Sequence, residues 1–349
     1  MVMRQAAPSC GRMPPACPLR YEHMNTTWLS IIIPFLNEGA EIRHTVENIR
    51  QTAAGPVDIW LIDDASNDGY DYPAVAREYG AHYVRHTARK GVAASRDEGV
   101  ARAVTDYVML LDGHMRFAQD GWDAPLQALL PTDRRAIWCG RTRALVPGAD
   151  GRLEWRSAEQ TAGYGAFMEL DSEAWGIDWN HHDPAPGEDV CDIPCILGAC
   201  YAFYKPYWLR LGGLRGLQQY GLDEQLISYK AWMEGGRCKL IKSLDVGHLY
   251  RKRFPYRMTD NYREFNRLLL TEFLLPAGGQ QEAFRHLFIR RNGTDMYLRF
   301  ARRLNRRAAE LELMRAELDA LRTVSFEEIA GMNRRVARLN RASANGMTR

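Results

Sequence analysis

The stretch Val108-Met109-Leu110-Leu111-Asp112-Gly113-His114 constrains this chain more than any other. Four apolar residues in succession, too few for a helix, predict a buried strand of the kind found in parallel sheets covered by helices. The run breaks at Asp, Gly and His. In open α/β sheets, ligands gather at the carboxyl ends of the strands. An extended backbone points Asp112 and His114 to the same side, and Gly113 leaves room for a ligand against the main chain. A carboxylate beside an imidazole suits a divalent cation of intermediate hardness, Mn²⁺ rather than Ca²⁺. The same tripeptide also fits a strand-end turn capped by Asp beside a surface His.

Around this stretch, strand and helix patterns alternate. Leu29-Ser30-Ile31-Ile32-Ile33-Pro34 predicts a buried strand closed by proline, then Asn37-Glu38 and a helix over about 38–53 that Gly55-Pro56 ends. A second strand over 57–62 runs into Asp63-Asp64-Ala65-Ser66. A third lies at 82–84, and a helix over 91–103 leads to the organising strand. The alternation predicts an α/β fold with a mostly parallel central sheet and helices on both faces. Carboxylates ending two separate strands, Asp63/Asp64 and Asp112, mark a nucleotide-binding crevice, although Asp, Ser, Asn and Gly also favour plain turns. No P-loop and no Gly-x-Gly-x-x-Gly follows a strand, which removes the main support for an ATPase or a dinucleotide enzyme. Residues 144–195, rich in Gly, Trp, Asp and Pro, predict long loops over the crevice. An apolar strand at 196–203, a helix from Lys205 to Gly212 and a helix from Asp223 to Met233 follow.

Of the 349 residues, 46% are hydrophobic and 10% aromatic, enough for a large core and against a disordered chain. No apolar stretch reaches the ~18 residues of a membrane span, and residues 1–28 lack a signal-like run, so they read as a disordered leader. The 7 Cys are odd in number and lack paired zinc spacing, and read as free thiols of a reducing cytoplasm. The net charge of +3 divides unevenly, because residues 281–349 hold 15 Arg, no Lys and 8 acids. An acidic body with a basic tail predicts that the tail meets something anionic. Phe300, Leu304, Leu311, Met314, Leu318 and Leu321 recur at helical spacing and predict an amphipathic helix with Arg307 in its seam. That helix would pack on the rest of the chain or pair in a homodimer. Alternatively, the doublets Arg290-Arg291, Arg302-Arg303, Arg306-Arg307 and Arg334-Arg335 would neutralise phosphates.

Several motifs fall in a telling order: Ile32-Ile33-Pro34 with Asn37-Glu38, Asp63-Asp64-Ala65-Ser66, Arg89-Lys90-Gly91 with Arg96, and Leu111-Asp112-Gly113-His114. Asp178-Trp179-Asn180, Gly198 to Phe203, Tyr220-Gly221 through Trp232, and Val246-Gly247-His248 with Arg251 and Pro255-Tyr256 continue it. Together they resemble the nucleotide-sugar glycosyltransferases of the GT-A fold. The layout is that of the family-2 type, and the details look like the polypeptide N-acetylgalactosaminyltransferases. The resemblance spans 29–257, read as the catalytic domain, with 258–349 an Arg-rich helical extension.

What the resemblance implies can be stated residue by residue. Asp112, His114 and His248 would hold Mn²⁺ (or Mg²⁺), Asp63 and Asp64 would hold the uridine of a UDP-sugar, and Arg96 and Arg251 would sit near its base and diphosphate, with Tyr220 among the donor contacts. The acceptor would be a hydroxyl on a macromolecule, either protein Ser/Thr or a hydroxymethylated pyrimidine in DNA, which the basic tail suggests. In inverting family-2 relatives an Asp at the second position of the Asp223-Glu224 pair deprotonates the acceptor. The retaining N-acetylgalactosaminyltransferases look different there, with an amide. Glu224 places a carboxylate at that position, which favours inversion, with Asp223 orienting the acceptor or the donor sugar. The pair also opens a helix, where carboxylates suit the macrodipole or a cap. The animal enzymes carry a membrane anchor and a lectin domain; the sequence shows neither pattern, and the expectation is a cytoplasmic enzyme with no membrane contact. The other readings are a polysaccharide-assembling transferase, or a catalytically inactive protein that binds nucleotide sugar or nucleic acid.

Overall fold

The computed structural model describes residues 27–147, 153–155, 163–170, 174–198, 200–251, 255–256 and 261–346. The leader expected over 1–28 lies outside them but for Thr27 and Trp28. The first half runs β1 (Leu29–Phe35), α1 (Glu41–Thr52), β2 (Val57–Asp63), α2 (Tyr72–Tyr79), β3 (His82–Arg85), α3 (Val92–Arg102) and β4 (Tyr107–Leu111). The isoleucines of β1 alternate between two cores. Ile31 and Ile33 pack with Ile42, Val46 and Ile49 of α1, and Ile32 with Ala93 and Val100 of α3. All three are fully buried, each contributing about 1.5–3 kcal/mol. Helices therefore cover both faces, as a strand apolar on both sides requires.

β1 pairs in parallel with β2 on one side and with β4 on the other, and β2 pairs in parallel with β3. Strand succession thus reverses at the β1/β4 border, the topological switch point where open α/β sheets bind ligands. The loops leaving β1 and β4 diverge there and leave a crevice between them.

The chain continues through β5 (Met115–Phe117), α4 (Asp123–Leu129), β6 (Ala136–Pro147), β7 (Leu153–Trp155), β8 (Ala166–Glu169), β9 (Gly176–Trp179) and β10 (Val190–Asp192). β11 (Cys200–Tyr204), α5 (Lys205–Arg210), α6 (Asp223–Met233) and β12 (Arg237–Leu249) complete the sheet, in the order β10-β12-β6-β11-β4-β1-β2-β3. β11 lies antiparallel between β4 and β6, so the second half is mixed. The loops expected over 144–195 contain more β-structure than their composition suggests: β8 and β9 form an antiparallel pair, and β7 folds back on β6. The strand expected at 196–203 begins only at Cys200, because the Ile196 N–H donates to Ser228 Oγ (3.1 Å) rather than to a neighbouring strand.

The extension forms α7 (Tyr262–Leu274), α8 (Gly279–Asn292), α9 (Thr294–Asn305), α10 (Ala308–Asp319) and α11 (Phe326–Gly346). The helix expected through Phe300 to Leu321 is two helices. Arg307 leaves helical geometry (φ −111°, ψ 17°) and pairs with Glu310 at 2.8 Å while reaching the Gly216 carbonyl at 3.3 Å. A guanidinium cannot enter an apolar seam without partners, so the chain turns where it would have done so. Phe300, Leu304, Leu311, Met314 and Leu318 join one core with Trp175, Leu226 and Tyr229. The seam is therefore filled within the chain and is not left over for a second copy. Among the described residues, no helix is long and apolar enough to cross a membrane, and Cys139, Cys191, Cys195, Cys200 and Cys238 are buried free thiols.

Candidate active site

A crevice of about 400 Å³ opens at the carboxyl ends of β1 and β4. Asp64, Arg96, Asp112, His114, Tyr220, Asp223, Glu224, His248 and Arg251 all line it; among the residues given a site role by the resemblance, Asp63 does not.

β4 ends at Leu111, and a tight turn rather than a continued strand brings Asp112 and His114 into the crevice. A Cβ at Gly113 would lie 2.8 Å from Ile42 Cδ1 and 3.2 Å from Glu38 Cγ. Glycine is needed there, but the room expected for a ligand is taken by those two side chains. His248 arrives from the end of β12, held opposite Met115 by the β5–β12 pairing. Its Nε2 lies 3.1 Å from His114 Nε2 and 3.7 Å from Asp112 Oδ2. One donor atom from each of the three residues falls within 4.8 Å of the others. Glu38 Oε2 lies 3.1 Å from His114 Nδ1, placed to accept a hydrogen bond from Nδ1–H and so aim the Nε2 lone pair at the cluster. One carboxylate and two imidazoles, with one tautomer fixed by an outer carboxylate, fit a divalent ion of the manganese type. The crevice lining also holds five carboxylates against three guanidiniums, a surplus that a dication offsets. Burial pushes the Asp112 carboxyl up, but His248, Arg96 and His114 outweigh it and hold the group ionised, below the usual range. Burial lowers His248, favouring the neutral imidazole that ligates metals.

Glu38 had no assigned role in the sequence; the available signal was its place just after the end of β1. It also pairs with Arg251 Nη2 at 2.5 Å, tying one imidazole of the cluster to the guanidinium expected at the diphosphate. Glu38→Gln is expected to weaken Mn²⁺ binding about 10- to 100-fold, the usual effect of losing an outer carboxylate. Calorimetric titration of the chelator-treated protein measures this, and an unchanged affinity would show that Glu38 does not orient His114.

Arg96, expected near the base and diphosphate, lines the crevice with its guanidinium held among carboxylates. Its side chain is 5% exposed, with Nη2 2.9 Å from Asp112 Oδ1, Nη1 3.0 Å from Asp223 Oδ2 and 3.7 Å from Glu224 Oε1. It joins the metal-type cluster to the first turn of α6. The N-cap position of that helix is Leu222, which has no side-chain cap bond, and Asp223 and Glu224 occupy its first turn, where the macrodipole also favours carboxylates. A Cβ at Gly198 would collide with the Glu224 carboxylate, so glycine there keeps the carboxylate open to the crevice. Burial, and then the neighbouring charge of Asp223, push Glu224 up to about 7. Burial raises Asp223 as well. A crevice carboxylate with that proton affinity can act as a general base near neutrality.

Asp64 accepts from the Lys90 and Gly91 amides (2.7 and 2.9 Å) and lies 2.8 Å from His86 Nδ1, bracing the loop before α3. Asp63 is 1% exposed and accepts from Ser66 N (2.7 Å) and Tyr83 OH (2.6 Å). Turn contacts thus occupy the carboxylate that the resemblance assigned to uridine. The opposite wall carries Gln219, Tyr220 and Gly221, and here Gln219 and Leu222 adopt left-handed φ of 52° and 73°. Fully buried Asn266 of α7 stabilises this shape. It accepts from Gln218 N (2.9 Å) and donates to the carbonyls of Gln218 (2.9 Å), Tyr220 (3.2 Å) and Gly221 (3.0 Å). No sequence signal pointed to this clamp, because its two halves lie in segments with no common motif.

Residues 30–178 match glycosyl transferase family 2. Polypeptide N-acetylgalactosaminyltransferase 10 of Mus musculus is 29% identical over 284 residues, covering 74% of this chain and 44% of its own. Polypeptide N-acetylgalactosaminyltransferase 5 of Caenorhabditis elegans is 24% identical over 259 residues, covering 69% and 40%. The chain thus spans less than half the length of these relatives. A crystal structure of GalNAc-T7 with UDP, GalNAc and Mn²⁺ superposes with a TM-score of 0.58 at 21% identity, covering 79% of this chain and 58% of that one. The chain has the GT-A fold, and over residues 30–178 and in the order of its motifs it is similar to the family-2 glycosyltransferases, with details resembling the polypeptide N-acetylgalactosaminyltransferases.

Proposed function

We propose that the chain transfers a sugar from a UDP-sugar to a hydroxyl of a macromolecule, with inversion at the anomeric carbon. The observation that carries this reading is the meeting of Asp112, His114 and His248 with Glu224 in one crevice at the switch point. Asp112, His114 and His248 would hold Mn²⁺ (or Mg²⁺), which when bound offsets charge on the departing diphosphate. Arg251, at the same end of the crevice, adds a charge-assisted hydrogen bond to that group. Asp64 and Tyr220 belong to the donor side. The acceptor oxygen bonds to the anomeric carbon as its proton passes to Glu224. The bond from that carbon to the β-phosphate oxygen breaks, and its electron pair leaves with UDP. Arg96, 3.0 Å from Asp223, holds that carboxylate in place beside the acceptor.

Residues 29–257 form the catalytic unit in this reading, and 258–349 its extension. The relatives' names point to a polypeptide acceptor, whose hydroxyls would be those of Ser or Thr; the Arg-rich extension supports a hydroxymethylated pyrimidine in DNA. Five buried thiols suit a reducing, cytoplasmic setting.

The test is UDP release from a panel of UDP-sugars with and without Mn²⁺, beside His114→Ala. Metal-dependent release that the variant loses is expected, and the released sugar's anomeric configuration, read by NMR before mutarotation, is expected to be inverted. Metal-independent UDP binding with no release from any donor would leave a binding protein, and a retained anomer would remove Glu224 from the role of base.

A further inference from the structure

The geometry points to a nucleic-acid acceptor held by its phosphates on one face of α9. This inference rests on the transferase reading above and names its acceptor class.

The arginine doublets of the extension are split in their work. Arg303 bonds the Gln218 side chain and lies over the Tyr262 and Phe265 rings, and Arg307 reaches Glu310 and the Gly216 carbonyl. Both therefore fasten α9 to the segment that leads into the crevice wall at Gln219 and Tyr220. Their neighbours Arg302 and Arg306, with Arg299, are exposed, and none of the three has a carboxylate partner among the described residues.

Spacings of three and four place Arg299, Arg302 and Arg306 in one stripe along the helix. Around the axis, Arg299 and Arg306 sit about 60° or less from Arg303. The stripe therefore borders the side of α9 that grips the crevice wall, not the side opposite. Its apolar side, Phe300 and Leu304, is buried in the core.

Three guanidiniums at the spacing of a helix turn, with no acid between Arg299 and Arg306 and the exposed Asp295 one turn ahead of them, make a ladder of cation sites on the helix whose Arg303 holds Gln218, next to the crevice wall. Guanidinium forks match phosphate oxygens bidentately, and a repeated anion along a strand is what a ladder of this kind engages. A protein acceptor would be met by a mixed surface with an apolar centre; here a single leucine, Leu298 (45% exposed), borders the stripe, and one side chain at its edge does not make such a centre. Phosphate contacts fix the position of a strand without reading its sequence, so the crevice itself would select the hydroxyl-bearing nucleotide.

The experiment compares the full chain with Arg299→Ala/Arg302→Ala/Arg306→Ala in three measurements. Fluorescence anisotropy reports binding to a DNA duplex containing hydroxymethylcytosine, over a salt series. A parallel titration uses polyglutamate, and UDP release is followed in the same preparations. The wild type is expected to bind DNA with a steep salt dependence, and the variant to lose about three from the slope of log K against log salt, about one per phosphate contact. UDP release without DNA should be unchanged in the variant, showing that it is folded. An equal slope in both proteins, or no DNA binding by a wild type that releases UDP, overturns the inference and leaves the transferase reading standing. Binding of polyglutamate in place of DNA overturns it in favour of an acidic protein acceptor. A wild type that releases no UDP from any donor and binds none overturns the reading beneath it.

Discussion

Glu224→Gln is expected to lower kcat by about 10²- to 10⁴-fold, the range for removing a general base, while UDP binding stays unchanged. The amide keeps the size of the side chain beside Gly198 and the approach to Arg96, so donor binding has no reason to move. It cannot take the acceptor proton. In the wild type, burial and Asp223 raise the Glu224 carboxyl to about 7. Below that value the group is protonated and cannot act as a base, so kcat should rise with pH through this region and level off above it. In the variant that limb should vanish, leaving a flat and low rate. Steady-state kinetics over a pH series in constant Mn²⁺ measures both effects. If the pH limb survived in the variant, the titrating group would lie elsewhere and Glu224 would not be the base.

Arg96→Leu should cost about 3–5 kcal/mol of stability, because it leaves buried carboxylates without their counter-charge. The loss should be large because one guanidinium serves two elements far apart in sequence. Asp112 follows β4, Asp223 opens α6, and each carboxylate is about 3 Å from a different nitrogen of the same fork. Urea unfolding of the variant gives the cost. Adding Asp223→Asn should return part of it, since one of the stranded charges is then removed, and the double-mutant cycle isolates that coupling. A cost under about 1 kcal/mol, the range of a solvated pair, would show that water reaches the site and that Arg96 is not the hub described.

What could be read in the sequence follows the range of the interactions. Ile31-Ile32-Ile33 declares a two-faced strand because both partner cores act on neighbouring residues, and the Leu111/Asp112 break marks a strand end for the same local reason. His248 was found through motif order, since nothing near residue 114 points to a ligand 134 positions later. The missed features are those that exist only after folding. Glu38 meets His114 across 76 positions, and Arg96 meets Asp223 across 127. The pairing of β8 with β9 rests on the burial of Ala166, Phe167 and Met168, which a Gly- and Asp-rich context conceals. At Arg307 the seam anomaly was visible, but its outcome, a break rather than a buried ion pair, depended on the Gly216 carbonyl being in reach.

The clamp made by Asn266 carries a consequence for how such a site can diverge. In most α/β folds the rim around a ligand is loop, and loops change cheaply because nothing beneath depends on their course. Here one rim segment keeps its left-handed turns through four hydrogen bonds from a helix of the extension. Substitutions that redraw the Gln218–Gly221 turn would strand those bonds in a dry interior. New acceptor preferences should therefore arise by paired change, rim and extension together, and a lineage that exchanged one without the other would lose the fold of the wall before it gained a new partner.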